Sequence, residues 1–203
     1  MEQRTEEWFE ARLGCVTASR TADVMAKTKS GYSASRANYM AELICERLTG
    51  ERQAGFSSAA MQWGTETEPQ ARMAYEIMTG ATVIETGFVL HPTIPGFGAS
   101  PDGLIDDNGL VEIKCPNTAT HIETLLSEGV PSKYITQMHV QMLCAGRDWC
   151  DFVSFDPRLP VELQMFIRRV EFDKELADQI VTEVQAFIAE MEAKIDQLKA
   201  RIA

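Results

Sequence analysis

The spacing of apolar and polar positions divides the chain into a helical first third, a strand-rich middle and a mixed remainder. Residues 5–12 read as a short helix carrying Trp8 and Phe9, and 13–19 as a turn of small residues. Ser19 suits the cap of a helix running to about Lys27. Residues 28–34 read as a flexible loop, and 35–49 as a helix ended by Gly50. The next helix, 65–79, starts on Thr65-Glu66-Thr67-Glu68-Pro69, which puts acids and a proline in its first turn, and it stops at Gly80. The period then changes. Residues 81–90 are β-rich, and 97–105 and 109–115 form two strands joined by Asp106-Asp107-Asn108-Gly109, a hairpin signal. Helices over 118–128 and 132–146 follow, then strands over 150–155 and 163–172, with Asp156-Pro157 turning the chain between them. The last segment, 173–202, is a long amphipathic helix. Leu176, Ile180, Val184, Phe187, Met191, Ile195, Leu198 and Ile202 recur at three- and four-residue steps, a stripe for its own domain or for another subunit. This order predicts an α/β fold, a mixed central sheet flanked by helices, in one domain spanning 1–203.

Composition narrows the class. With 203 residues and 45% hydrophobic content the chain can build one real core. It has no run of the ~20 apolar residues that crosses a bilayer, and its charged start, MEQRTEEWFE, lacks a signal segment. The expectation is a soluble cytoplasmic protein that does not enter membranes. Five cysteines, an odd number without a CxxC pair, argue against a disulfide framework or structural zinc. His91, His121 and His139 are scattered without metal-ligand spacing.

A net charge of -11 opposes nucleic-acid binding at first sight, because phosphate contacts need Lys and Arg. Its distribution changes that picture. Residues 1–60 carry eight basic and eight acidic residues, and 131–170 carry five and four, whereas 61–130 carry two and ten. An acidic middle suits a chain that holds hard divalent cations on oxygen. A generic acidic surface fits equally well.

The chemistry concentrates in Ser100-Pro101-Asp102-Gly103-Leu104 and Leu110-Val111-Glu112-Ile113-Lys114-Cys115. Residues two apart on a strand share a face. Glu112 and Lys114 therefore point one way, and Val111, Ile113 and Cys115 the other, toward a helix. The hairpin turn brings Asp102 near Glu112. Two carboxylates and a carbonyl, that of Ile113, make an oxygen set for Mg²⁺, and a lysine beside it can orient or deprotonate a water or offset developing charge. Alone, such a Glu-x-Lys pair is commonly an exposed strand face.

Four blocks in order resemble a known family. They are Trp8-Phe-Glu-Ala-Arg12-Leu-Gly-Cys-Val-Thr17-Ala-Ser19; Trp63-Gly64-Thr-Glu-Thr-Glu68; the Ser100 and Leu110 segments, ending at Pro116; and Tyr134-Ile-Thr-Gln137-Met-His-Val-Gln141. Together they look like the λ-exonuclease-type phage recombination nucleases, the YqaJ-like viral recombinase group of the PD-(D/E)xK superfamily. The resemblance implies a restriction-endonuclease-like core. It implies metal binding by Asp102, Glu112 and the Ile113 carbonyl, with Lys114 as the catalytic lysine. Glu68 matches an acid from the helix before the sheet, although it also suits a first helical turn. Arg12, Thr17, Ser19 and Ser100 match groups that hold a 5′-phosphate, and Gln137 matches a glutamine near both sites.

The implied activity is a Mg²⁺-dependent 5′-to-3′ exonuclease on linear double-stranded DNA, with Mn²⁺ able to substitute. It releases 5′-mononucleotides and leaves 3′ single-stranded tails. The implied partners are duplex DNA, two further copies in a homotrimeric ring, and a single-strand-annealing protein, in a bacterial or phage-infected cell. Such a ring would place the basic residues of 1–60 and 131–170 in its channel, and loops in 28–60 on the DNA. Two rivals stand beside this reading: a restriction or junction-resolving endonuclease of the same superfamily, and a non-catalytic DNA-binding protein with a decayed nuclease fold.

Overall fold

The predicted stripes and alternations fold into helices on both faces of a mixed sheet. A computed structural model describes residues 2–53 and 58–202. In chain order the elements are α1 (Glu6–Arg12), β1 (Val16–Thr17), a 3-10 turn (Ala18–Arg20), α2 (Thr21–Met25), β2 (Lys27–Thr28), β3 (Gly31–Tyr32), α3 (Ala34–Thr49), α4 (Ala59–Thr79), β4 (Val83–Ile84), β5 (Val89–Leu90), β6 (Phe97–Ala99), β7 (Gly103–Ile105), β8 (Gly109–Lys114), α5 (Thr118–Ser127), α6 (Ser132–Ala145), β9 (Trp149–Phe155), a second 3-10 turn (Val161–Leu163), β10 (Met165–Glu171) and α7 (Lys174–Lys199).

The main sheet has the order β10-β9-β8-β7-β4, and a smaller one has the order β1-β6-β5. Within the main sheet β8 and β9 are parallel and the other neighbours antiparallel, which makes it mixed as predicted. Alternation along β8 decides which helix meets which face. Val111, Ile113 and the following Cys115 pack with Ala71 and Tyr75 of α4. Leu110 packs with Met138 and Met142 of α6. A third cluster joins β1 and β6 to α2, α3, α6 and α7, where Ile180, Val184, Phe187, Met191 and Ile195 are buried. The C-terminal stripe is therefore spent largely on its own core, while Leu198 and Ile202 stay exposed.

Several boundaries differ from expectation, each for a physical reason. The helix expected at 65 begins at Ala59, capped by the Ser58 hydroxyl, which accepts the Met61 N–H at 3.2 Å. Pro69 consequently lies inside α4, where it cannot donate to the Thr65 carbonyl. Burial of Ala71 and Tyr75 against the sheet outweighs that cost. Ser19 is not a cap; it lies inside the 3-10 turn, and the Thr21 hydroxyl donates to the Thr17 carbonyl at 3.0 Å. The loop expected at 28–34 contains the two-residue ladder of β2 and β3. Residues 97–105 are not one strand but β6 and β7, in different sheets. The break is Ser100-Pro101-Asp102, where proline has no N–H to continue a ladder. Of the 28–60 segment expected to touch DNA, residues 54–57 lie outside the described residues.

Candidate active site

The break between β6 and β7 projects Asp102 toward the C-terminal part of β8. Antiparallel pairing of β7 with β8 runs from Ile105–Gly109 to Gly103–Val111 and stops there. Beyond it, the Ile113 N–H has no strand partner on that side and donates to Asp102 Oδ2 at 2.7 Å. The N–H and C=O of one strand residue leave on the same side, so the Ile113 carbonyl faces the Asp102 side as well. Glu112 points to the opposite face from the Ile113 side chain and is fully buried.

Glu112 is gripped from three directions. Its Oε1 pairs with the Lys114 ammonium and accepts from Gln137 Nε2 at 2.6 Å. Its Oε2 accepts from Gln141 Nε2 at 2.5 Å. Gln137 and Gln141 are four residues apart, on one face of α6. Gln141 stood in the fourth sequence block without a role. Its i, i+4 relation to Gln137 was the signal that it shares the same target. Tyr134, a turn earlier, stacks on Phe152 at 5.4 Å and lies 5.2 Å from the Lys114 ammonium.

The charges do not balance. Burial and the neighbouring Glu112 raise the Asp102 carboxyl well above its ordinary value, Glu68 adds to the rise, and Lys114 and the Ile113 N–H only partly offset it. For Lys114, burial opposes the charged form, but Glu112 and Asp102 outweigh it and hold the ammonium above the usual lysine value. Glu68 stands close enough to act on Asp102, and its own oxygens are engaged by Arg4 at 2.7 Å and Arg72 at 2.8 Å. Sequence reading missed both arginines. Arg72, at i+4 on the same helix, was within reach of a local rule; Arg4 was not.

A second group forms around Arg12. Ser100, two residues before Asp102, accepts from Arg12 at 3.1 Å and from the Trp8 indole at 3.0 Å. The Arg12 guanidinium lies 4.0 Å over the Trp8 ring. It forms no ion pair with a carboxylate among the described residues, and burial lowers its pKa. Thr17 and Ser19 hydroxyls are 3.5 Å apart. With Arg12 they line a cavity of about 480 Å³ that also meets Tyr39 and Arg52, the latter stacked 3.9 Å over Phe9. Gln137, read as near both sites, is hydrogen-bonded to Glu112 and is not in this cavity's lining.

The remaining candidates are structural. His121 bridges the Ser154 hydroxyl and the Leu163 carbonyl, at 2.7 and 2.9 Å. His139 accepts from the Asp173 N–H at 3.1 Å, and His91 from Ile94 N–H at 3.2 Å. All five cysteines are free thiols, with Cys115, Cys144 and Cys150 buried. The thirteen basic residues of 1–60 and 131–170 divide. Seven form ion pairs within the chain: Arg4, Arg20, Lys27, Arg36, Arg47, Arg158 and Arg169. Among the described residues no helix is long and apolar enough to cross a membrane.

Residues 7–148 match the YqaJ-like viral recombinase domain. The chain is similar to LHK-Exo, solved in complex with dAMP, at 60% identity over 98% of this chain and 100% of that one, with a TM-score of 0.92. A second structure of LHK-Exo, described as an alkaline exonuclease from Laribacter hongkongensis, is 59% identical over the same shares with the same TM-score of 0.92. A phage-related exonuclease from Haemophilus somnus shares the fold at 17% identity, covering 93% of this chain and 96% of that one, with a TM-score of 0.73. No curated protein sequence is significantly similar to the chain.

Proposed function

The chain belongs to the YqaJ-like viral recombinase family, and from that premise we propose that it is a Mg²⁺-dependent exonuclease that degrades linear double-stranded DNA 5′ to 3′. Its products are 5′-mononucleotides and 3′ single-stranded tails for recombination by strand annealing. The family and the exonuclease relatives support the DNA-exonuclease part of this reading, and the mononucleotide dAMP bound to one relative supports the product class. The observation that carries the rest is one tripeptide, Ser100-Pro101-Asp102. At one end it meets a guanidinium without an ion pair, and at the other a surplus of carboxylate charge.

The residues present fit a hard divalent cation. Among the described residues no cluster of three or more His, Cys, Asp or Glu side chains has metal-binding geometry. The set on offer is instead Asp102, Glu112 and the Ile113 carbonyl, all oxygen donors of the kind Mg²⁺ and Mn²⁺ take. Burial first, and Glu112 second, raise the Asp102 pKa, and a cation there would offset both. Such an ion would lower the pKa of a bound water and draw charge from a phosphate. Lys114, held charged, is placed to orient a water and to offset charge on a phosphate. Gln137 and Gln141 hold Glu112 in place. Glu68 keeps Arg4 and Arg72 at the rim. Arg12, Ser100, Thr17 and Ser19 hold the terminal 5′-phosphate, which sets polarity, because a guanidinium forks onto phosphate oxygens and hydroxyls add donors.

The same reading includes a homotrimeric ring around the duplex, an annealing-protein partner and a cytoplasmic setting. Of the basic residues in 1–60 and 131–170, Arg12, Lys29, Arg52, Lys133, Arg147 and Arg168 form no ion pair among the described residues, and these we assign to the ring's channel. Light scattering should give three copies; a monomer at working concentration removes the ring. The activity itself is tested by a digestion time course on end-labelled linear duplex and closed circles, with and without Mg²⁺. Mg²⁺-dependent loss of nucleotides from the 5′-phosphorylated end, with circles intact, is expected. Cut circles would make it an endonuclease.

A further inference from the structure

The last turn of α3 carries two charged residues that reach back to the backbone of one residue, Gly14. Glu46 is 8% exposed, and its Oε2 accepts the Gly14 N–H at 2.9 Å. Arg47 Nε donates to the Gly14 carbonyl at 2.8 Å. Both polar groups of Gly14 are thereby taken by consecutive side chains. The Arg47 side chain continues against a second glycine. A Cβ on Gly14 would lie 2.6 Å from Arg47 Cγ, and one on Gly96 would lie 2.6 Å from Arg47 Nη2; both glycines have positive φ, +65° and +70°. Left-handed backbone without a side chain is what lets the guanidinium pass so close. Arg47 also reaches Glu192 of α7 at 3.6 Å.

What the two glycines flank gives this clamp its consequence. Gly14 lies between Arg12 and Thr17. Gly96 accepts the Val16 N–H at 2.8 Å, which leads into the parallel pairing of Val16 with Phe97 and Thr17 with Gly98. Strand β6 then runs directly into Ser100. The groups of the Arg12 pocket sit on four short pieces: Arg12 ends the seven-residue helix α1, Thr17 is on the two-residue β1, Ser19 is in a 3-10 turn, and Ser100 follows β6. A site on such segments is only as precise as its supporting contacts.

We propose that Glu46 and Arg47 are positioning residues for the phosphate pocket: by fixing the Gly14 and Gly96 backbone they converge Arg12, Thr17, Ser19 and Ser100, and so set selectivity for phosphorylated 5′ ends rather than the rate of cutting. The proposal rests on the reading of the Arg12 group as a 5′-phosphate pocket.

The test uses the full chain with Mg²⁺ and compares initial rates on linear duplexes ending in 5′-phosphate or 5′-hydroxyl. Wild type and Arg12→Ala come first. Equal rates on both ends for wild type overturn the pocket reading itself, and the clamp with it. Given a preference that Arg12→Ala abolishes, Arg47→Met is expected to lower kcat/KM on phosphate ends by roughly ten- to a hundredfold, with the rate on hydroxyl ends unchanged. Glu46→Gln keeps an acceptor for the Gly14 N–H and should keep the preference; Glu46→Ala should lose it. A folded Arg47→Met that keeps wild-type preference, or slows both ends equally, overturns the clamp while the pocket stands. Should Arg47→Met not fold, Arg47→Lys decides. It keeps the stem against the glycines and the charge but loses Nε, and an unaltered preference in that variant also overturns the clamp.

Discussion

Asp102 and Ser100 are two residues apart, yet one faces a crowd of carboxylates and the other a guanidinium without an ion pair. The two regions they belong to are built by different means. Glu112 and Lys114 hang on strand β8, where the pleat dictates which side chains share a face and α6 supplies the amides that fix Glu112, while Asp102 reaches them from the β6–β7 break by accepting the Ile113 N–H. The Arg12 pocket is gathered from the end of α1, the short β1 with its 3-10 turn, and the Ser100 loop, tied together by distant side chains. Several other charges are matched by a neighbour of opposite sign. Arg169 forks onto Asp151, Arg158 onto Asp156, and Arg36 meets Glu190 at 2.7 Å. By contrast Asp102 lies beside Glu112 and Glu68, and Arg12 forms no ion pair among the described residues; on the proposed reading these two ends of the tripeptide would meet a cation and a phosphate.

The largest expected effect separates the two regions by chemistry. Lys114→Ala and Asp102→Asn should each slow digestion by roughly 10²–10⁴-fold, and by the same factor on 5′-phosphate and 5′-hydroxyl ends. Wild-type rates in either variant would remove the cutting centre from these residues. Next comes the pocket. Arg12→Ala removes charge-assisted hydrogen bonds to the end group, so kcat/KM on phosphorylated ends should fall roughly ten- to a hundredfold, far more than on hydroxyl ends. A uniform loss would mean that Arg12 serves the cut and not the end, and the division between the regions would collapse.

A smaller effect appears in stability. An acid whose pKa rises on folding binds its proton more tightly folded than unfolded, so stability falls as pH climbs from the ordinary value of 3.8 toward the raised one. Asp102→Asn removes that penalty. In EDTA at neutral pH the variant should melt a few degrees above wild type, by about 2–4 °C for each kcal/mol. Mg²⁺ should raise the melting point of wild type by mass action and that of the variant much less. If Mg²⁺ raises both equally, the cation binds somewhere other than Asp102.

Much of the geometry of the candidate centre was legible because β8 alternates cleanly: Glu112 and Lys114 against Val111, Ile113 and Cys115. A period of two survives in sequence whatever packs on it. Other features were hidden by signals that point locally and are settled globally. Thr65 to Pro69 looks like a helix start, but Ser58 caps six residues earlier than Gly64, and burial of Tyr75 carries α4 through the proline. The β2–β3 ladder is exposed on both strands, so no apolar alternation announced it. The clamp on Gly14 spans more than thirty positions, and nothing in the spacing of Glu46 and Arg47 points across that distance. The pocket residues were found through family resemblance; their support could be found only in three dimensions.

The smallest effect comes from an acid that serves as the balanced counterpart of Asp102. Asp156 follows β9 and is fully buried. Burial alone would raise its carboxyl, but hydrogen bonds from Arg158 and Thr118 outweigh it and hold the pKa down to about 2. Here folding favours the ion, so the stabilisation is complete above the ordinary value of 3.8 and drains away as pH falls toward about 2. The Arg158 side chain is 45% exposed, which weakens the pair through solvent screening. Asp156→Asn should therefore cost only about 1 kcal/mol at neutral pH, a drop of roughly 2–4 °C in Tm, and the gap should close below pH 3. Its exonuclease rate should stay within about twofold of wild type. The two asparagine variants thus shift stability in opposite directions at neutral pH. Should both destabilise the metal-free protein, the charge surplus assigned to Asp102 is absent, and the contrast between an acid held for a cation and an acid held by an arginine fails.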